Sequence, residues 1–447
     1  MKRILLAATL AALPLTAAAS RDRVAAPISS ADVLAAERAL AGPEMRGRGS
    51  GTADEARAAD WVAVQFKAAG LKPAPGMDGY LEIAPIVRRT AAGTPTLTVD
   101  GVALPGVGVV TTDGGIVEGK TAIIDGTESG IPDAAVLVYT GAPDRLSQVR
   151  RAARGKARLI LTAESDAMRR YLAASGGKPQ LRTTLEGGGA WSGVALATLP
   201  ADALARIKPG SSVSLDVPFA SEKGVTTNAI AYLPGTDPKA GVILLSAHLD
   251  HLGVRPDGTV MPGANDDASG TVAVIELARA FAKMKPAKRS ILFVAYGSEE
   301  LGGLGSTWFG QHPPIALDRI VANIELEMIG AQDAKLPKGA LMVTGAERST
   351  LFAMLKANGA LVAPDPYPEQ HFFERSDNYS LALKGIVAHT LSGWVGPTYH
   401  QPTDTVENLD IAYMTAAINS LVAPIRTLAD GDFTPQWTAN GQPVGSR

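Results

Sequence analysis

The chain contains no cysteine. That excludes disulfides and every thiolate metal site, so a bound transition metal would have to be held through His, Asp and Glu. Histidine is itself scarce, with six in 447 residues. The formal net charge is only −2, which gives no reason to expect a nucleic-acid partner. Long apolar runs are also missing: past the N-terminus, no segment approaches the ~18 apolar residues that a membrane span needs. There is no block of like charge, no internal repeat and no low-complexity tract. What is present is a composition of 46% hydrophobic and 19% charged residues, suited to a globular chain of two or three domains.

The first residues, "MKRILLAATLAALPLTAAAS", place Lys2 and Arg3 before an apolar segment running from Ile4 to about Thr16, and end in small residues. This is the pattern of a secretory signal peptide over residues 1–19, cleaved near Ala19/Ser20. It predicts a secreted or periplasmic protein with no membrane span after cleavage. Two helices follow, over 29–42 and 52–69, each with a polar start and a glycine stop. In the second, Trp61, Val64, Phe66 and Ala68 read as core. These helices form, over residues 20–90, the N-terminal part of a domain that residues 223–447 complete.

From residue 91 to 222 the texture changes to Thr, Val and Gly with closely spaced turn signals, which reads as a β-rich insert. It has no His and no acid pair at metal spacing. From 223 to 447, apolar strands such as "GVILLSAHLD" and "RSILFVAYGSEE" alternate with helices such as "SGTVAVIELARAFAKM". That alternation predicts an α/β fold, a mixed and mostly parallel sheet sandwiched by helices.

The chemistry-bearing residues sit where those strands end. His248 and Asp250 follow one strand, Glu299 and Glu300 another, and Glu325 and Glu327 a third. Asp266 and Asp267 precede a helix in "GANDDASG", and His400 lies in "TYHQPTDT". Ligands of open α/β sheets bind outside the carboxyl ends of the strands. Two histidines and three carboxylates suffice for two zinc ions sharing one carboxylate, and one more carboxylate can move the proton of a water.

The ordered motifs "AHLDHLG", "GANDDASG", "SEELGGLGS", "NIELEMIG" and "YHQPTDT" resemble those of the co-catalytic di-zinc exopeptidases of the bacterial leucyl aminopeptidase and glutamate carboxypeptidase type. The insert is similar in texture to a protease-associated domain. The resemblance implies a zinc exopeptidase (phosphorylase/hydrolase-like) fold and two Zn2+ per chain. Asp266 would bridge them, His248 and Glu327 would complete one set, and Glu300 and His400 the other. It further implies Glu299 as general base, Asp250 as the partner orienting His248, and a cis peptide at Asp266–Asp267. Glu327 departs from the family, where Asp is frequent, and Glu325 is its rival on the same strand face.

Tyr399 either polarises the scissile carbonyl or packs as an aromatic. Arg375, Ser376 and Asp377 are candidate substrate-binding residues, with Arg375 placed either on a substrate carboxylate or on a neighbouring acid. The remaining histidines, His251 among them, read as structural or surface. The resulting expectation is a secreted zinc metallopeptidase, an aminopeptidase acting on peptides. The alternatives are a carboxypeptidase or other amide hydrolase on the same metals, a one-metal enzyme cyclising N-terminal glutamine, and a metal-free binding ectodomain. Cobalt or manganese could occupy the same ligands.

Overall fold

A computed structural model describes residues 27–188 and 193–444. The leader and its cleavage site lie outside the described residues. Two sheets of nine strands each organise the chain.

The first sheet carries the candidate site residues at its strand ends. Its order runs Val362–Pro364, Leu341–Val343, Ala388–Ser392, Ile320–Glu327, Val242–His248, Ser290–Tyr296, Phe219–Leu233, Leu81–Ala91 and Thr184–Leu185. Val242–His248 runs parallel to both of its neighbours, and Ile320–Glu327 runs parallel to Ala388–Ser392. Every residue of Val242–His248 and of Ser290–Tyr296 is buried. That is why they read as continuous apolar runs rather than alternating ones: helices cover both faces of a parallel sheet. Ser269–Ala282, Ala53–Ala68 and Ile411–Asp430 supply much of this cover.

The helix Ala53–Ala68 is capped by the Thr52 side chain. It buries Val62 and Phe66 but leaves Val64 60% exposed and Ala68 exposed. The expectation that Val64 and Ala68 belong to the core is therefore corrected. Positions i and i+4 share a helix face, and position i+2 lies about 200° around from the first.

The second sheet takes its nine strands from residues 96–217. Val136–Tyr139, Leu159–Ala163 and Ala195–Leu199 form its parallel centre, and the helices Leu146–Ala152 and Asp166–Ala174 lie between them in sequence. This unit is α/β in its centre: beside the amphipathic helix that "PDRLSQVRRAARGK" predicts, found at Leu146–Ala152, it holds the helix Asp166–Ala174. Two long antiparallel strands, Leu81–Ala91 and Phe219–Leu233, carry the chain out to it and back. One segment of the insert returns to the first sheet: Thr184–Leu185 pairs with Leu81–Ala91. Leu185 there packs with Ile86 and Leu304, beside Leu301 and Trp308.

Candidate metal centre

Three adjacent strands of the first sheet, Ile320–Glu327, Val242–His248 and Ser290–Tyr296, end side by side. Their ends bring Glu327, His248 and the Glu299–Glu300 pair to one edge. Asp266 joins them from the turn before the helix Ser269–Ala282, and the Asp266–Asp267 peptide is cis, as the motif implied. His400 arrives from the loop that follows Ala388–Ser392.

The side chains converge on Asp266. His248 Nε2 lies 3.3 Å from one Asp266 oxygen and 3.9 Å from Glu327. His400 Nε2 lies 3.2 Å from the other Asp266 oxygen and 3.2 Å from Glu300. His248, Asp266 and Glu327 form one group whose ligand atoms all fall within 4.8 Å of one another; His251, Asp266 and Glu300 form a second such group. Asp266 belongs to both. All five residues expected as ligands are thus brought together.

His251 is the addition. It is fully buried, its Nδ1 lies 2.9 Å from Glu300 Oε1, and its ring stands edge-on to His400. Reading it as surface is corrected, and it joins the candidate donors. The strand ends at His248, so the alternation of faces that would turn His251 away no longer applies. His251 instead forms an isolated parallel bridge with Gly49.

The burial pattern tests whether this donor set suits metal ions. His248 Nε2, both ring nitrogens of His251 and Glu300 Oε1 are buried with no hydrogen-bond partner among the described residues. Buried polar atoms are normally satisfied, and all but His251 Nε2 lie against the carboxylates of the two groups. Burial alone would raise the Asp266 carboxyl; contacts with His248 and His400, and the nearby His251, outweigh it and hold Asp266 below the usual carboxylate range. Burial opposes charge on His400, yet Asp266 and Glu300 push it up to about 9. So much buried negative charge calls for cations, and nitrogen and oxygen donors at this spacing suit a pair of divalent metals.

Backbone-directed contacts hold the donors. Asp267 accepts from the backbone N–H groups of His248 (3.2 Å), Gly270 (2.9 Å) and Met328 (2.9 Å), tying two strand ends to the helix. Asp404 accepts from the N–H of Asn265 at 2.9 Å and of Asp266 at 3.0 Å, which fixes the turn carrying Asp266. Asp250 faces His248, as expected, and has further partners. Its carboxylate lies 3.7 Å from His248 Nδ1. It accepts from the Glu299 N–H at 2.9 Å, the Glu300 N–H at 3.3 Å and the Ser50 hydroxyl at 2.5 Å. It therefore orients the two glutamates through their backbone, and its own carbonyl, 3.3 Å away, is the nearer group to His248 Nδ1.

Arg48 went unnoticed in the sequence. Fully buried, it donates to the carbonyls of Leu249 (2.7 Å), Leu40 (3.1 Å), Pro262 (2.7 Å) and Gly263 (2.7 Å). It thereby joins the strand end that bears His248 to the loop leading to Asp266. Gly47 makes this approach possible: its φ is +68°, and a Cβ there would fall 2.2 Å from the Met261 carbonyl oxygen. The only sequence signal is the glycine–arginine run "MRGRGSG".

Glu325 is fully occupied elsewhere, accepting from the Ser376 hydroxyl, the Asn378 N–H and the Thr390 hydroxyl. Glu327 is thus the member of the pair left facing His248. Ser376 and Asp377 are buried behind the pocket wall and not on it, which corrects their expected place. Arg375 does line the pocket, as do Glu299 and Tyr399, whose ring stacks on His400 at 3.8 Å. Burial raises Glu299 well above the ordinary carboxylate range; His248 opposes this, while Asp377, Glu300 and Glu327 add to it.

Residues 228–423 match Peptidase family M28. Among curated proteins, a probable zinc metalloprotease of Pyrenophora teres f. teres is 38% identical over 112 residues, covering 24% of each chain. A probable lipoprotein aminopeptidase, LpqL of Mycobacterium tuberculosis, is 30% identical over 212 residues, 39% of this chain and 40% of that one. The aligned stretches thus span less than half the length of these relatives. An aminopeptidase structure from Aneurinibacillus sp. strain AM-1 superposes with a TM-score of 0.58 at 19% identity, covering 90% of this chain and 94% of that one, which establishes the shared fold.

Proposed function

Because residues 228–423 are a Peptidase family M28 region, we propose that the chain is a zinc-dependent aminopeptidase that removes N-terminal residues from peptides. The observation that carries this reading is the pair of three-residue donor groups sharing Asp266, with Glu299 lining the same pocket. His248, Asp266 and Glu327 would hold one zinc. Asp266 and Glu300 would hold the other, with His400 and His251 as its imidazoles. When bound, the metals acidify a water and polarise the scissile carbonyl.

The remaining chemistry belongs to the chain. Glu299, kept proton-hungry by burial and by neighbouring acids, accepts a proton from the attacking water. The water oxygen bonds to the carbonyl carbon, the C–N bond breaks, and Glu299 returns the proton to the departing amine nitrogen. Asp250 fixes the Glu299 backbone during both transfers. The substrate's ammonium group fits the acidic lining of the pocket, and Met328, Met342, Phe372 and Val395 offer apolar lining for its first side chain.

We further propose that the chain is exported by its leader, and that residues 91–222 are a protease-associated insert. Among the described residues, no helix is long and apolar enough to cross a membrane.

The test is hydrolysis of L-leucine p-nitroanilide by the zinc-loaded protein, beside its N-acetyl derivative and an N-blocked peptide with a free C-terminus. Cleavage of the free-amine substrate alone is expected. Cleavage of the N-blocked peptide instead would replace the aminopeptidase reading with a carboxypeptidase.

A further inference from the structure

The pocket is lined by charges of both signs. Asp266, Glu299, Glu300 and Glu327 supply the acids; apart from the imidazole of His400, its one cationic lining residue is Arg375. The Arg375 guanidinium lies over the Phe372 ring, 5.0 Å from its centroid. The ring holds it in place without consuming its donors, which point in a plane. Arg375 forms no ion pair among the described residues, although four carboxyl groups line the same cavity. A guanidinium that keeps its fork free in a pocket is matched to a carboxylate, which it can grip through two parallel hydrogen bonds.

The cavity is small, about 280 Å³. Pockets for drug-sized ligands begin near ~300 Å³, so there is room for a very short peptide. The insert comes close to the pocket lining. Gly302 lines the pocket, and a Cβ built on it would lie 3.7 Å from Nη2 of Arg182, which the second sheet's unit supplies.

We propose that Arg375 binds the free C-terminal carboxylate of the substrate, so that di- and tripeptides are held as zwitterions by the lining carboxylates and Arg375. This rests on the aminopeptidase reading and narrows it: the enzyme would finish the breakdown of small fragments rather than trim long chains. Such substrates are the products of endopeptidases and of oligopeptide-releasing enzymes acting upstream.

The experiment is calorimetric binding to the zinc-loaded Glu299→Gln protein, which does not depend on turnover. The probes are Leu-Ala, Leu-Ala-amide and Leu-Glu-amide. Leu-Ala is expected to bind at least about tenfold more tightly than its amide, as a charge-assisted pair would give. Adding Arg375→Gln should bring that ratio close to one, and Arg375→Lys should restore part of it. Equal binding of acid and amide, or an unchanged ratio after Arg375→Gln, would overturn the proposal. So would a preference for Leu-Glu-amide equal to that for Leu-Ala, since the carboxylate recognised would then be a side chain's. Hydrolysis of L-leucine p-nitroanilide by the native protein is read separately. Its failure would remove the aminopeptidase reading while leaving the acid-to-amide binding ratio as an independent result.

Discussion

The two sheets of this chain are equal in strand number and opposite in what they bury. In the unit built from residues 96–217, every buried polar residue among those described is a threonine or a serine: Thr112, Thr121, Thr162, Thr183, Thr198 and Ser211. In the catalytic unit the buried polar residues include His248, Asp250, His251, Asp266, Asp267, Glu325, Asp377 and Arg48. A hydroxyl satisfies itself with one backbone carbonyl, whereas a buried carboxylate needs several donors or a cation. The insert shows what a sheet of this size requires for stability alone. The excess of buried charge on the other sheet marks where stability has been conceded to chemistry.

The comparison breaks most visibly at Glu299. Glu299→Gln should lower kcat on L-leucine p-nitroanilide by about 10³-fold or more while zinc content holds, because it removes the proton acceptor and leaves the donor groups in place. Steady-state kinetics beside metal analysis would show this; a fall below tenfold would remove Glu299 from its role.

Next in size is Asp267→Ala, which strands three backbone N–H donors in a dry interior. A loss of about 3 kcal/mol or more is expected in urea denaturation, at ~1–3 kcal/mol per unsatisfied donor with partial relief by water.

His389 separates structural from chemical burial within the catalytic unit. It is fully buried, its Nε2 lies 2.7 Å from the Ser349 hydroxyl and its Nδ1 2.8 Å from the Thr344 carbonyl oxygen, and burial drives it down to about 4. The folded state therefore holds it neutral while the unfolded chain takes up a proton near pH 6.5. Its contribution is complete above pH 6.5 and is lost as pH falls toward 4, by at most about 3 kcal/mol. His389→Gln should flatten the dependence of unfolding free energy on pH across that window, and an unchanged slope would assign the acid sensitivity to other groups.

His251→Gln and His400→Gln test the imidazoles of the second donor group. Each should weaken the second zinc about 10- to 100-fold, as loss of a supporting or direct ligand does, while the first zinc stays. Competition with a chromogenic chelator would resolve the two sites. The smallest effect belongs to the insert: Thr198→Val removes one hydroxyl bond to the Gly108 carbonyl, 3.3 Å long. It should cost about 1 kcal/mol or less, the mirror of Asp267→Ala.

The sequence displays this asymmetry wherever side chains do the work. His248, Glu299, Glu300 and Glu327 are legible because apolar strands end on them, and Asp266 because its acid pair opens a helix. The alternation of strands and helices conveyed the sandwiched sheet for the same reason. Arg48, Asp404 and the further partners of Asp250 are less legible, since each acts on backbone groups brought near by the fold and leaves no period in the chain. His251 was hidden by the assumption that a strand's alternation continues past its last residue. Ser376 and Asp377 looked accessible only because polar residues in a loop usually are.

The central claim is that the buried charge of the catalytic unit exists to hold two metals on one shared carboxylate. The most direct measurement is zinc stoichiometry by native mass spectrometry on the full chain and on Asp266→Asn. The account predicts two zinc ions per native chain and loss of both when the shared oxygen donor is weakened. Two ions retained by Asp266→Asn, or none bound by the native chain after incubation with zinc, would contradict it.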